Sequence, residues 1–356
     1  MKRTKNMIIK MFLILAIFIN GMGSSEKKEN TCILHPKLVF SIDHEKGATL
    51  LFEPRDIAVS KNGNIYVLDS KDCKIKCFSP QGKYLFSFGR EGEGPGEFSP
   101  DASTLKILKD GNIYLIDNGL RRITIFSLDG KYIKSFITKE RYGDIYLFKD
   151  TYFLTNFELE RNWKPIHITK DFQKIEKSFG EIIDPGNLFK RDDFFEIQTS
   201  IAFEKNTSVI VNSKGEIFYS QWNPYKIIKY SSEGRKIKEF YRDVGFDTGL
   251  KLSIKKIKGI KGVAEEPSSF VPEIYLAKKD RILVPIFSPD LKENFIDIYD
   301  SNGSLLYACR LPIELYGKET VIVATEFDGE RSFYIIYFSP ERPPILSKYD
   351  IEFPGE

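Results

Sequence analysis

The chain is poor in the residue types that build most catalytic and metal centres. It has three histidines in 356 residues, His35, His44 and His167, each isolated. No His-x-His or His-Glu-x-x-His pair occurs, so a histidine zinc centre would need distant residues to converge. Gly-x-Ser-x-Gly is absent, which removes the usual serine nucleophile elbow. Four cysteines, Cys32, Cys73, Cys77 and Cys309, are not spaced as a disulfide framework. On one strand Cys73 and Cys77 would stand ~13 Å apart, beyond disulfide reach. They are also a poor zinc pair without a nearby histidine. Charge of one sign is lacking too: 53 basic residues face 50 acidic ones, which gives no net drive toward nucleic acid. The loop Gly89–Gly96 has four glycines, but no Gly-Lys-Ser/Thr follows and Glu91, Glu93 and Glu97 would repel phosphate.

What is present is enough to bury a sizeable core, at 42% hydrophobic and 14% aromatic residues. The first residues stand apart from it. Met1–Lys10 carries Lys2, Arg3, Lys5 and Lys10, Met11–Ile19 is an apolar run, and Gly21–Ser25 offers small residues. This is the layout of a secretory signal peptide over residues 1–25. The run is short for a span of ~20 residues; an uncleaved anchor is the alternative, and the only membrane link expected. The predicted location is periplasmic or extracellular. Without residues 1–23 the balance is 49 basic against 50 acidic.

Two stretches are near-copies 48 residues apart. GNIYVLDS (Gly63–Ser70) and FSPQGKYLFSF (Phe78–Phe88) return as GNIYLIDN (Gly111–Asn118) and FSLDGKYIKSF (Phe126–Phe136). Alternation and turn residues divide the first copy into Asp56–Ser60, Asn64–Asp69, Lys74–Ser79 and Lys83–Phe88. The second divides into Thr104–Leu108, Asn112–Asp117, Arg122–Ser127 and Lys131–Phe136. Asn-Gly and Asp-Gly pairs supply the hairpin turns. Four short antiparallel strands per repeat is one propeller blade. Diverged copies follow over 145–180, 207–240 and 273–308, and a copy with three strands over 320–353. Thr31–Asp43 reads as a strand that completes this last blade and closes the ring. The predicted fold is therefore all-β: one six-bladed β-propeller over residues 31–356. Insertions fall at about 181–200 and 243–272. In the second, Leu250, Ile254, Ile257 and Ile260 recur at helical spacing, which predicts a short amphipathic helix.

These residues resemble the NHL-repeat β-propellers, in Phe52–Val59, Gly63–Asp69, the Ile75 and Phe78 pair, and above all the linker Gly89–Phe98. Phe270–Ile274 is similar to the exported six-bladed propellers of bacteria. The resemblance covers about residues 31–353 and implies a binding or scaffold module for a protein, peptide or glycan. Some NHL-type propellers are zinc lyases, and related six-bladed propellers are lactone hydrolases. None of their catalytic sets maps onto matching positions here, so no catalytic residue, metal ligand or cofactor is assigned. The alternative is a metal-dependent hydrolase or lyase at the central channel mouth, which needs at least three carboxylate or amide groups converging there.

Asp69 and Asp117 end strand two of their blades. Repetition at one blade position favours a structural role, accepting backbone N–H groups of the turn that follows. Candidate ligand residues lie in the loops between strands two and three and between blades, which gather on one face. They are Arg90, Arg121, Arg122, Arg141, Tyr142, Trp163, Trp222, Asn223 and Tyr225. Arg and aromatic residues dominate interface hot spots, and Trp and Tyr stack on sugars and peptides.

Overall fold

Period-two alternation resolves into strands throughout. The computed structural model describes residues 30–42, 50–156, 164–183, 207–221, 224–245, 252–257, 260–265, 271–288, 290–313, 315, 320–339 and 342–355. The segment read as a signal peptide lies outside them. The chain divides into a unit ending at Asn30 and a unit Thr31–Glu356, and every described strand belongs to the second.

Two strands open this unit, β1 (Thr31–Ile33) and β2 (Lys37–Ile42). Blade 1 is β3 (Pro54–Val59), β4 (Ile65–Asp69), β5 (Lys74–Phe78) and β6 (Tyr84–Phe88); blade 2 is β7 (Ala102–Ile107), β8 (Ile113–Asp117), β9 (Arg122–Phe126) and β10 (Tyr132–Ile137). Blade 3 is β11 (Tyr142–Phe148), β12 (Thr151–Asn156), β13 (Ile166–Thr169) and β14 (Ile175–Phe179). Blade 4 is β15 (Thr207–Val211), β16 (Ile217–Gln221), β17 (Ile227–Tyr230) and β18 (Lys236–Phe240). A separate hairpin, β19 (Leu252–Ile257) with β20 (Ile260–Glu265), follows. Blade 5 is β21 (Tyr275–Ala277), β22 (Arg281–Ile286), β23 (Phe295–Tyr299) and β24 (Leu305–Arg310); blade 6 has β25 (Val321–Phe327), β26 (Ser332–Ser339) and β27 (Arg342–Asp350).

The N-terminal segment does more than the sequence predicts. Thr31–Asp43 is two strands serving two blades. β2 pairs antiparallel with β27, Lys37 opposite Asp350, and so completes blade 6 and closes the ring. β1 pairs parallel with β24 and gives blade 5 a fifth strand. Cys32 lies opposite Cys309 in that register and is disulfide-bonded to it, with Cα atoms 4.5 Å apart. Cys73 and Cys77 are free and buried. The second insertion corrects the helix expectation. Its described residues form the β19–β20 hairpin, with Ile254 opposite Val263 and Ile257 opposite Ile260. The β-branched Ile and Val fit a strand.

The core lies between the blades. Six buried clusters among the described residues each take side chains from two neighbouring blades, and the sixth joins blade 6 to blade 1. Inner strands such as β4, β8 and β16 are therefore buried on both faces, while the outer β6 is partly and β10 largely exposed. Repeated Phe and Gly residues form a hinge between adjacent outer edges. Phe88 at the end of β6 lies against Gly130 in the β9–β10 turn; a Cβ there would meet its ring at 2.6 Å. The same contact joins Phe40 to Gly82, Phe179 to Gly234 and Phe240 to Gly303. In blade 3 Phe172 replaces the glycine, and its ring stacks 5.0 Å from Phe136 of blade 2.

Candidate functional site

Each blade begins at the centre of the ring, and its first strand runs from the inter-blade linker toward the hairpin with strand two. In blades 1, 2, 3 and 6 this strand carries a register irregularity near its start, at Pro54/Asp56, Ala102/Thr104, Tyr142/Asp144 and Ile322/Ala324. In the first three of these a short polar side chain beyond the irregularity ties its blade to the next. Asp56 accepts the Leu105 N–H at 2.7 Å, the Thr104 hydroxyl donates to the Gly143 carbonyl at 2.9 Å, and Asp144 accepts the Val209 N–H at 2.9 Å. The Ile274 N–H donates to Ser208 at 3.3 Å, continuing the pattern.

Two residues further along the same face, the register places Lys106 of blade 2 level with Tyr146 of blade 3, Ile210 of blade 4 and Tyr275 of blade 5. Ala58 and Glu326 hold this level in blades 1 and 6. Lys106 crosses the channel. Its Nζ lies 2.5 Å from Glu273 of blade 5, on the opposite side of a six-blade ring, and 3.8 Å from Asp144. Burial works against this ammonium, but Glu273, Asp144, Asp56 and Glu326 hold its pKa well above the ordinary lysine value. Removing one member of such a buried pair costs about 3–5 kcal/mol, because the other charge is stranded.

The pair lies beside a cavity of about 300 Å³ walled by Tyr146, Ile210, Leu276 and Phe327. Its lining runs on to Lys109 and Asp328, past the ends of the first strands, so the cavity extends toward the strand one–strand two hairpins. Glu326 reaches into it. One of its oxygens accepts the Phe327 N–H at 2.9 Å, and the other takes no hydrogen bond from any described residue. Burial lifts this carboxyl to about 8 against the pull of Lys106, and Glu273 adds to the rise. A carboxyl raised in this way beside an ion pair in a cleft is a candidate functional group.

The loop residues expected to bind ligand lie at the other end of the first strands. Arg121 and Arg141 are exposed. Arg121 has φ +48°, the conformation Cys73 takes at the same turn of blade 1. Arg90 pairs with Glu97 inside its own linker. Arg122, Tyr142 and Tyr225 are buried and engaged. Arg122 donates to the carbonyls of Glu93 and Glu97 at 2.6 and 2.8 Å, clamping the Gly89–Phe98 linker as Lys74 does through the Gly89 carbonyl. Tyr142 exchanges backbone bonds with the Asn118 amide. Tyr225 donates to Asp297 at 2.7 Å beside Tyr299, and Arg242 grips the same carboxylate with two bonds of 2.9 Å. Trp163, Trp222 and Asn223 lie outside the described residues.

Asp69 and Asp117 have the structural role expected, with partly different donors. Asp69 accepts the N–H groups of Phe52 and Glu53, ahead of strand one, and the ammonium of Lys76. Asp117 accepts Ser99 N–H ahead of strand one and Leu120 N–H in the turn that follows. Asn156 and Gln221 take the equivalent place in blades 3 and 4, bonding the Lys164 carbonyl and both backbone groups of Ile183.

The channel residues were missed because they do not repeat. A signal was available: Lys106 and Glu326 are the single charges in their strand-one runs, ASTLKI and VIVATEF, where blade 1 carries Ala58. Four carboxyls, Asp56, Asp144, Glu273 and Glu326, do converge on the channel, but around an ammonium. Among the described residues no group of three or more His, Cys, Asp or Glu is arranged to hold a metal ion. Nor is any described helix long and apolar enough to cross a membrane.

Residues 46–242 match a protein-family model described as 6-bladed beta-propeller. No curated protein matches the chain. Among solved structures, a DUF4221-family protein of Bacteroides vulgatus is 10% identical with a TM-score of 0.57, over 91% of this chain and 99% of that one. A candidate exported protein of Bacteroides fragilis is 12% identical with a TM-score of 0.54, over 92% and 98%. A gluconolactonase of Xanthomonas campestris is 9% identical with a TM-score of 0.50, over 91% and 97%. At these identities the likeness is one of fold.

Proposed function

Because the chain belongs to the DUF5128 family of six-bladed β-propellers, we propose that it is a binding module whose ligand enters the central channel. The ligand is a protein, peptide or glycan that presents a small group to the cavity. The observation that carries this reading is the 300 Å³ cavity itself, with aromatic walls and one carboxyl oxygen left without a partner among the described residues. Concave clefts that hold a few placed polar groups are the usual form of small-ligand sites. We also read the chain as an NHL-like propeller that is exported. The Cys32–Cys309 bond supports export, since disulfides persist in oxidising compartments.

The enzyme reading ranks second. The carboxyls needed for a channel hydrolase or lyase are there, but Asp144 spends both oxygens on backbone N–H groups and Glu273 holds Lys106. That leaves one free acid where such chemistry needs at least two groups in different roles.

Two substitutions at opposite ends of the ring test the site. Leu276 is a partly exposed wall residue, and Leu276→Trp would fill the cavity; Arg121→Glu reverses a charge on the loop face. Peptide and glycan arrays probed with the wild type, followed by calorimetry on each hit, should show ligands lost with Leu276→Trp and kept with Arg121→Glu. The reverse pattern would move the site to the loop face and end the channel reading.

A further inference from the structure

Six side chains that carry charge line the cavity: Lys106, Lys109, Asp144, Glu273, Glu326 and Asp328. Acids outnumber bases by four to two, and most are already committed. Asp144 accepts two backbone N–H groups, and Asp328 accepts those of Glu330, Arg331 and Ser332. Glu273 faces Lys106. Glu326 keeps an oxygen beside Lys106 that no described residue engages, while Asp328, whose Oδ1 takes all three N–H groups, lies past the end of β25.

The chain's own lysines trace how a cation is received here. Lys106 lies among the carboxyls, and Lys109 lies over the Tyr146 ring at 5.5 Å and the Phe148 ring at 5.7 Å. Ring faces attract ammonium groups most strongly where water is excluded. Between those two places the cavity brings together the Glu326 oxygen and the Tyr146 and Phe327 side chains, in a volume suited to one short side chain.

We infer that the cavity recognises a primary ammonium group, held by the free oxygen of Glu326 against the aromatic wall, so that the ligand is an amine such as a lysine side chain or an amino sugar. This rests on the channel being the ligand site, and it names what the channel selects. The groups facing Glu326 are Lys106 on β7, Glu273 ahead of β21 and Asp56 on β3, and Asp144 on β11 acts on Lys106. Without ligand, Glu326 keeps its proton at neutral pH, because burial and Glu273 outweigh the pull of Lys106. An arriving ammonium would favour the charged form and expel that proton. The proton leaves to buffer, and no covalent bond forms or breaks.

n-Butylammonium is the probe, with n-butanol as the neutral isostere and butyrate as the anion. Titration calorimetry at pH 7 in two buffers of different ionisation enthalpy counts protons. With a carboxyl at about 8, release of about 0.9 proton per butylammonium is expected, at roughly millimolar affinity for so small a ligand. Affinity should rise about tenfold per pH unit between pH 6 and 7.5 in the wild type, a readout that needs no variant. Glu326→Gln, checked for folding by thermal unfolding, should weaken binding at least tenfold and abolish proton release. Binding of n-butanol as tight as that of butylammonium, or butylammonium binding without proton release, would overturn the inference. So would absence of butylammonium binding. Array ligands that still depend on an open channel at Leu276 would then leave the binding-module reading standing, whereas loss of that dependence would end both.

Discussion

Gly111 and Gly130 form a natural pair of controls for how the blades are held together. Both have φ +80°, in the left-handed region, one in the strand one–strand two turn of blade 2 and the other in its strand three–strand four turn. An alanine Cβ at position 111 would meet nothing within 4 Å. At position 130 it would meet Phe88 of blade 1 at 2.6, 2.7 and 3.0 Å. Gly111→Ala should therefore cost only the backbone penalty of about 1 kcal/mol. Gly130→Ala adds overpacking against a ring fixed on the neighbouring blade, a further 1–3 kcal/mol or about 2–4 kcal/mol in all. In a Phe88→Ala background only the contact with the Cβ of residue 88, at 3.0 Å, remains, so the difference between the two glycine substitutions should shrink, giving a coupling energy of about 1–3 kcal/mol. A domain of this size shifts its melting temperature by only about 1.5 °C per kcal/mol, so urea midpoints are the sharper assay. Equal destabilisation by Gly111→Ala and Gly130→Ala would refute the Phe–Gly contact as a source of inter-blade stability.

Two further outcomes are expected. Replacing Cys32 and Cys309 together by serine removes a cross-link between residues 277 apart, which the loop-closure relation values at about 5.6 kcal/mol. The melting temperature should fall by about 8 °C, and reduction of the wild type should match it; an unchanged midpoint would show that the bond constrains only β1. The second concerns pH. Burial holds the folded His167 at about 4, against 6.5 unfolded, so this residue costs stability as pH falls from 6.5 to 4. Glu326 works the other way, since its unfolded carboxyl ionises near 4.5 and its folded one near 8. Their contributions offset between 4.5 and 6.5, and above 6.5 the Glu326 slope of about 1.4 kcal/mol per pH unit remains until pH 8. Glu326→Gln should flatten that decline in urea titrations, and a wild-type stability that rises from pH 6.5 to 8 in step with Glu326→Gln would contradict it.

The architecture was legible wherever the chain repeats itself. The copies at Gly63–Phe88 and Gly111–Phe136 set strand number, turn glycines and the role of Asp69 and Asp117, because a duplicated residue must answer to a duplicated geometry. The donors to those carboxylates were only half legible, since N–H groups ahead of strand one come close only when the blade folds back on itself. Reading failed where pairing is non-local. Cys32 and Cys309 are brought together by a parallel strand addition that no local pattern announces. In the second insertion the isoleucines keep a spacing of three that suits a helix as well as two short strands, and their β-branching was the overlooked arbiter. The site was hidden for the opposite reason to the fold. Arg122, Tyr142 and Tyr225 look like loop anchors in sequence but spend their polar atoms on linker and neighbour. Lys106 and Glu326 look like strand residues and meet only because six first strands face one axis.

The Cys32–Cys309 bond also changes how the protein answers to tension. The covalent loop it closes contains β2, blades 1 to 4 and most of blade 5. A pull between the two ends of the folded unit therefore passes from Cys32 straight to Cys309 and on through Arg310 into blade 6. The backbone of the enclosed blades cannot be drawn out end to end while the bond holds.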